Sequence, residues 1–359
     1  MSFTRRRKVM AAGVTTVLVA AGAVGTLALT GNAARIPLIG HIPGLSSLAE
    51  HKPAKPPTCP LTGVAPHHDV PDRPALAIKV ENLPEARPQA GLERADIVYE
   101  EPVEGGITRF IVVYQCQDSK RIGPVRSARL TDPDVLIQFG TSTLFGYAGG
   151  VPRVEQAVAD RGLHDVNYDV QAAIKAQAYE RDPDRSEPHN LYTSTGALYR
   201  AGHETGGKPA PVFTYRKKGP AGAGSKPAGT VHLDWSGTAN VFWTWNPKRA
   251  VWLRSYDTGP ATLEGDLQIS ATNVVVEVVK IKDTGIVDVA GNPSPEVESV
   301  GSGKAYVFRD GRVVEGTWKR RSVHALTKFF DSSGKRIPLA PGTTWVELLP
   351  DTIPVEISP

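Results

Sequence analysis

Uncharged, mostly apolar positions run without interruption from Val9 to Leu29, directly after the basic residues Arg5 to Lys8. As a helix at about 1.5 Å per residue, this run is roughly 30 Å long, enough to cross a bilayer core. A basic flank stays in the cytoplasm, so the rest of the chain is expected on the outer side. Ala33 and Ala34 offer a weak cleavage site. Residues 1–34 are therefore predicted to be a cleaved signal peptide or a retained signal anchor, and both general secretion and twin-arginine export stay open.

Residues 35–57 are rich in Pro, Gly and Ala and are interpreted as a semi-extended tether. Beyond them, short runs with β-branched residues predict strands, and apolar residues at helical spacing predict helices. The predicted strands are 75–80, 96–101 and 107–116, and the predicted helices are 133–139, 151–160 and 194–204. Interleaved strands and helices predict a mixed α/β domain over 58–216.

The segment KKGPAGAGSKPAG at 217–229 has little apolar bulk and is interpreted as a linker or a long exposed loop. Over 230–359 the pattern changes to β-branched and aromatic runs separated by turn signals at 246–249 and at Asp310 and Gly311. The predicted strands are 231–235, 241–245, 250–256, 273–282, 304–309 and 313–319. This second domain is therefore expected to be mainly β, and the fold class of the whole chain to be α+β.

The formal net charge of +4 does not indicate a nucleic-acid partner once its location is considered. The chain contains 41 basic and 37 acidic residues, and the cluster Arg5 to Lys8 supplies four of the basic ones. Subtracting them, 41 − 4, leaves 37 basic against 37 acidic residues, so the remainder is formally neutral. The positive charge therefore belongs to the targeting segment.

The two cysteines, Cys59 and Cys116, have no partner at metal-ligand or redox spacing. In an oxidising compartment an even pair indicates one possible disulfide, and two free buried thiols are the alternative. The histidines show no ligand spacing either, so neither a metal nor another cofactor is predicted.

The first polar cluster, EEPVEGGITRF, places Glu101, Glu104 and Arg109 around the turn at Gly105 and Gly106. A turn of this kind presents a carboxylate at the end of a strand, where Glu104 can act as a general acid or base. The alternative is an ordinary hairpin with solvated carboxylates. The same motif makes Glu101 and Arg109 candidate ligand-binding residues.

A second cluster, RIGPVRSARLTD, contains Arg126 and Arg129 three residues apart. In a helical turn both guanidinium groups would lie on one side and would suit a phosphate or carboxylate. Alternatively, the two arginines neutralise carboxylates of the first cluster inside the fold.

Two further motifs precede predicted helices. Gly149 and Gly150 come just before Pro152, where free backbone N–H groups can hold an anion, but the favoured interpretation of this weak pattern is a plain strand-to-helix turn. In EPHNLYTST, His189 is a candidate acid or base and Asn190 a candidate ligand-binding residue. The alternative for His189 is a structural hydrogen-bonding role.

Several of these motifs, in this order, resemble the YerB-like envelope lipoprotein family, a two-part domain of unknown function. They are CPLTG (59–63), ARPQAGLERADIVYEEPVEGGITRF (86–110), IGPVRSAR (122–129), PHNLYTS (188–194), GTWKR (316–320) and LAPGTTWVELLP (339–350). The resemblance covers the chain from Cys59 to the C-terminus and implies a location in the cell envelope. Many relatives carry a lipid on a Cys directly after the apolar run. No Cys follows Leu29 closely here, so the apolar helix itself is expected to be the anchor.

Two functions from different classes remain open. One is a non-catalytic module, extracytoplasmic or secreted, that binds an anionic envelope polymer or an envelope protein. The other is a hydrolase or lyase acting on an envelope or extracellular polymer, either glycan or nucleic acid. In that case Glu104 and His189 would be acid and base, and Arg126 and Arg129 would hold negative charge.

Overall fold

The computed structural model describes residues 57–66, 68–203, 206–217, 224–235, 239–288 and 290–359. The predicted signal or anchor segment and all but the last residue of the predicted tether lie outside the described residues, as does part of the 217–229 linker. Residues from Pro56 to Pro359 form one compact unit. In the part of the chain that the structure describes, no helix is both long and apolar enough to cross a membrane.

The ordered elements are mostly strands, joined by short helices in the first half of the unit. The strands within the described residues are β1 (Leu76–Glu81), β2 (Ile97–Pro102), β3 (Thr108–Tyr114), β4 (Leu144–Gly146), β5 (His164–Asp165), β6 (Tyr179–Arg181), β7 (Leu191–Thr193), β8 (Lys226–Pro227), β9 (Thr230–Asp234), β10 (Asn240–Asn246), β11 (Val251–Tyr256), β12 (Gly259–Pro260), β13 (Thr262–Leu263), β14 (Leu267–Gln268), β15 (Ser270–Ala271), β16 (Asn273–Val279), β17 (Ile281–Val287), β18 (Pro293–Val297), β19 (Gly301–Arg309), β20 (Arg312–Arg320), β21 (Lys328–Asp331), β22 (Thr344–Pro350) and β23 (Glu356–Ser358). The α-helices are α1 (Thr131–Leu136), α2 (Pro152–Asp160), α3 (Gln171–Lys175) and α4 (Thr195–Ala201). Helices confined to the first half and strands throughout confirm the predicted α+β class.

One large mixed sheet joins the two predicted domains. Its strand order is β21-β20-β19-β16-β22-β2-β3-β1-β4-β5, and β8 pairs with β20. Strand β22, near the C-terminus, lies parallel to both β16 and β2, with Ile97 of β2 opposite Thr344 of β22. The parts over 58–216 and 230–359 therefore share a continuous sheet, and independent folding of each part stays a prediction.

Both faces of the large sheet are covered, which explains why its central strands are apolar without strict alternation. Strand β3 is buried at every position. Over one face lies a second sheet of order β12-β11-β10-β9-β23, with β15 beside β11, and Trp243 and Trp252 from this sheet join Trp345 in the core. Val135 of α1 and Val154 of α2 belong to the separate core on the other face. The site described below lies beside this second, helical core.

Tight turns fix the register of the hairpins that the sequence predicts. Asp310 and Gly311 join β19 to β20 with φ of 55° and 67°. A type I′ turn requires positive φ at both central residues, and Asp followed by Gly tolerates that conformation best. The pairing of Arg309 with Arg312 is the register that a two-residue turn produces.

Glu277 on β16 is a buried carboxyl group with a large predicted effect on the pH dependence of stability. It is 6% exposed, and within the described residues it forms no ion pair within 4.0 Å. Burial raises the pKa of Glu277 from its ordinary 4.5 to about 7, although the charge of Arg320 opposes the shift. The folded protein therefore holds a proton on Glu277 that the unfolded chain releases above its ordinary pKa.

This raised pKa predicts that the free energy of unfolding decreases as the pH rises from about 4.5 to about 7. This stabilisation is fully present below pH 4.5, the ordinary pKa that Glu277 has in the unfolded chain. It is lost as the pH rises through about 7, the pKa of Glu277 in the folded protein. Glu277→Gln should remove the part of the pH dependence that Glu277 causes. At pH 8 the variant should be more stable than the wild type by at most about 3 kcal/mol. Denaturant unfolding of both proteins at pH 5 and pH 8 measures it. If the free energies of unfolding of variant and wild type differ by the same amount at pH 5 and pH 8, the prediction is contradicted.

Candidate functional site

Four of the predicted site residues line one cavity of about 530 Å³, which we call the arginine pocket. They are Arg109, Arg126, Arg129 and Glu104. The pocket lies between β3, the segment 126–129, the start of α2 and the hairpin formed by β17 and β18. The fold therefore brings residues of the first and second polar motifs together in one pocket.

The segment that carries Arg126 and Arg129 is extended, so the helical turn predicted for it is wrong. The N–H of Arg126 donates to the carbonyl of Lys79 at 2.9 Å, and the N–H of Ala128 donates to that of Gly149 at 3.0 Å. Hydrogen bonds to Lys79 on one side and to Gly149 on the other hold the segment in an extended conformation. Both arginines nevertheless reach the same pocket.

Arg129 is neutralised by Glu104. Its Nε donates to Oε2 of Glu104 at 2.8 Å, and its Nη2 bonds the same oxygen. Burial by itself raises the pKa of Glu104, but hydrogen bonds from Arg129 and Ser294 outweigh it and hold the pKa below the ordinary value. Glu104 is therefore a carboxylate near neutral pH and carries no proton to donate.

Arg126 and His189 share a second carboxylate, Glu81 at the end of β1. Nε of Arg126 lies 3.0 Å from Oε1 of Glu81, and Nδ1 of His189 lies 2.9 Å from Oε2. The Glu81 side chain is 1% exposed, so it fixes the orientation of both partners. His189 does not line the arginine pocket, which separates it from Glu104.

Arg109 differs from the other two arginines because it forms no direct ion pair among the described residues, although the charges of Glu104 and Glu81 act on it from farther away. In the described part of the chain it forms no ion pair within 4.0 Å, its Nη1 donates to the carbonyl of Ser127 at 3.0 Å, and its buried Nε has no hydrogen-bond partner. The residue is 6% exposed. Burial, together with the charges of Arg129 and Arg126, lowers the pKa of Arg109 to about 10, so it remains a cation at neutral pH.

The start of helix α2 adds a fixed positive potential to the same pocket. Gly150 and Val151 line it directly before Pro152, the first residue of the nine-residue helix. The side chain of Val151 cannot cap the helix, and Pro152 has no N–H group. The N-terminus of a helix carries roughly half a positive charge and favours anions.

Two predicted ligand-binding residues lie away from the pocket. Glu101 is fully buried below it, where Lys79 bonds both Glu101 and Asp132, the latter at 2.7 Å. Burial and the charge of Asp132 raise the pKa of Glu101 to about 7. Asn190 accepts a hydrogen bond from Arg181 at 2.8 Å and donates to the carbonyls of Asp182 and Arg185. Both side chains are therefore occupied in holding the fold.

The sequence analysis did not identify Lys79 as the partner of Glu101, nor Glu81 as the partner of Arg126 and His189. Lys79 and Glu81 are two residues apart on β1, and both side chains are buried. Charged residues inside an otherwise apolar strand, LAIKVE, were the available signal. The disulfide between Cys59 and Cys116, with Cα atoms 5.9 Å apart, fastens the start of the described region next to the end of β3.

Comparisons with known proteins agree on the family. Residues 61–208 match the profile of the N-terminal domain described as "Protein of unknown function (DUF3048)", and residues 231–346 match that of its C-terminal domain. "Putative lipoprotein YerB" of Bacillus subtilis is 31% identical over 316 residues, which cover 83% of this chain and 88% of the relative. The crystal structure of the YerB protein from Bacillus subtilis superposes with a TM-score of 0.69 at 26% identity, covering 84% of this chain and 99% of that one. The chain therefore belongs to the DUF3048 family of proteins of unknown function.

Proposed function

We propose that this chain is an exported cell-envelope protein that binds an anionic ligand in the arginine pocket. The single observation that carries the proposal is Arg109, a buried guanidinium without a carboxylate partner among the described residues. A buried cation without a counter-ion is costly, so a bound anion would relieve a penalty that the protein already carries. The helix start at Gly150 and Val151 favours the same sign of charge.

An extracytoplasmic location follows from the N-terminal sequence and from the relative. The apolar run from Val9 to Leu29 after a basic cluster is typical of an export signal or anchor. A relative named as a lipoprotein supports attachment to, or release from, the outer face of a membrane. The anionic ligand is accordingly expected to be a component of the envelope.

The polymer-cleaving alternative receives less support from the geometry. Such an enzyme needs its acid and base within hydrogen-bond reach of the reacting groups at one bond. Glu104 lines the pocket as an ion-paired carboxylate, whereas His189 is bound to Glu81 and does not line it. Binding therefore explains the arrangement with fewer assumptions than catalysis.

A sedimentation experiment tests the proposal. Full-length protein in mild detergent is mixed with isolated peptidoglycan sacculi, with and without their anionic polymers, and with anionic phospholipid vesicles. We expect the protein to be retained by at least one of these anionic preparations, and retention to weaken as ionic strength rises. Arg109→Met should lose about tenfold or more in affinity, because charge-assisted hydrogen bonds are strong.

Arg336→Met is the matched control, since Arg336 also lacks an ion pair within 4.0 Å among the described residues but lies outside the pocket. Equal retention of both variants by every preparation would rule out the arginine pocket as the binding site. Cleavage of any polymer that disappears in Glu104→Gln and His189→Ala would instead favour the enzyme.

A further inference from the structure

We infer that the arginine pocket takes a terminal carboxylate attached to an apolar group. This inference rests on the proposed anion binding and adds the chemical class of the ligand. Three properties of the pocket carry it: the net charge of its lining, the depth of Arg109, and the apolar side chains at its walls and mouth.

The charge of the pocket matches a monoanion. Glu81 neutralises Arg126 and Glu104 neutralises Arg129, so each of these pairs is formally neutral. Asp288 also lines the pocket, and its carboxylate is close enough to Arg129 to feel its charge. The positive charge is therefore concentrated at Arg109, to which the helix start adds roughly half a unit. A dianion would place its second charge beside Glu104 without compensation, which disfavours a phosphate monoester.

The depth of the free cation favours a terminal group. Arg109 is 6% exposed as a residue, whereas the side chains of Arg126 and Arg129 are 26% and 14% exposed. An anion that reaches Arg109 is therefore buried as well. A carboxylate has a single substituent, which can extend toward the mouth of the pocket. A phosphodiester has two, and the second would also have to be accommodated at the deep end.

Apolar side chains line the same pocket as Arg109. Leu83, Ile107 and Val154 line the pocket, as do Val151 and Val287. The last two are 40% and 60% exposed and are among the large apolar side chains most open to solvent in the described residues. Exposed apolar groups beside a buried cation indicate a ligand with an apolar body and an anionic end.

A cavity of about 530 Å³ is large enough for one or two amino-acid residues or a short aliphatic chain. The carboxylate can thus come from the C-terminus of a peptide or from a free aliphatic acid. Both have the same chemistry at Arg109, where a planar guanidinium suits a planar carboxylate.

Isothermal titration of full-length protein with four probes tests the inference. The probes are acetyl-Ala-Leu, its C-terminal amide, octanoate and glycerophosphoglycerol. We expect acetyl-Ala-Leu or octanoate to bind, and the tighter of the two identifies the source. The amide should bind at least about tenfold more weakly than the acid, because it lacks the charge that Arg109 needs. This comparison needs no variant.

Substitutions then locate the site. Arg109→Met should weaken binding of the preferred acid by about 10- to 100-fold, the range for hydrogen bonds to charged groups. Arg109→Lys keeps the positive charge but loses the paired N–H donors, so it should weaken binding less than Arg109→Met does. If Arg109→Met does not fold, Arg109→Lys takes its place in the test. Arg336→Met should bind like the wild type.

The outcomes separate this inference from the proposed function. Binding of glycerophosphoglycerol as tight as that of the acids, and lost in Arg109→Met, would overturn the carboxylate and leave anion binding intact. Equal affinity for the acid and its amide would also overturn it. If none of the anions binds, or if Arg109→Met binds them unchanged, both the inference and the proposed function fail.

Discussion

Arg254→Met is expected to lower the free energy of unfolding by about 3–5 kcal/mol, because it leaves the buried carboxyl groups of Glu100 and Glu347 without their cation. Arg254, on β11, is fully buried between the two sheets. Its Nη1 lies 2.7 Å from Glu100 and 3.2 Å from Glu347. Burial disfavours its charge, but these two carboxylates outweigh the penalty and raise the pKa of Arg254. Denaturant unfolding at pH 7 measures the loss.

The loss comes from unpaired charge more than from missing contacts, and a triple variant distinguishes these causes. Burial and the charge of Glu100 raise the pKa of Glu347 well above its ordinary value, so the ion pair is chiefly that of Arg254 with Glu100. Combining Arg254→Met with Glu100→Gln and Glu347→Gln removes this ion pair together with the second carboxyl group and should recover most of the stability. Arg249→Met, at an exposed position of the turn between β10 and β11, should change the free energy of unfolding by less than about 0.5 kcal/mol. A single Arg254→Met variant as stable as the wild type would contradict this account.

Each of the nine predicted strands overlaps an observed strand, because a local pattern depends on neighbouring residues. The predicted strand at 107–116 corresponds to β3, and that at 313–319 to β20, with ends shifted by one or two residues. The predicted strand at 273–282 ends earlier, at Val279, and β17 begins after Lys280. What the pattern did not predict is β22, which enters between β16 and β2 and so joins both parts of the chain. Such placement depends on contacts between distant segments.

The candidate site was predictable only in part, for a related reason. Polar motifs beside strands and glycine turns identified Arg109, Arg126 and Arg129, which the fold brings to one pocket. The alternative in which these arginines neutralise carboxylates of the first cluster is confirmed for Arg129, which bonds Glu104. The partner of Arg126 was not identified, because Glu81 lies outside that cluster and 45 residues away in the sequence. Residue type fixes which groups need a partner, whereas only the sheet topology decides which partner each receives.

The disulfide yields the second large prediction. Replacing Cys59 and Cys116 together by alanine should lower the free energy of unfolding by about 4 kcal/mol, because a cross-link over 57 residues restricts the unfolded chain. The folded state also loses an attachment: the turn at 59–63 is otherwise held by contacts such as the N–H of Gly342 donating to the carbonyl of Thr62 at 2.9 Å. Unfolding in denaturant without reductant measures the difference.

Three comparisons distinguish the cross-link from the side chains themselves. Cys59→Ala and Cys116→Ala alone should each lose as much stability as the double variant, because either one removes the bond. Reductant should destabilise the wild type and leave the double variant unchanged. If the wild type unfolds at the same denaturant concentration with and without reductant, the bond does not contribute as expected. Sensitivity to reductant, by contrast, would mean that the fold is most stable in an oxidising compartment, where disulfides of exported proteins persist.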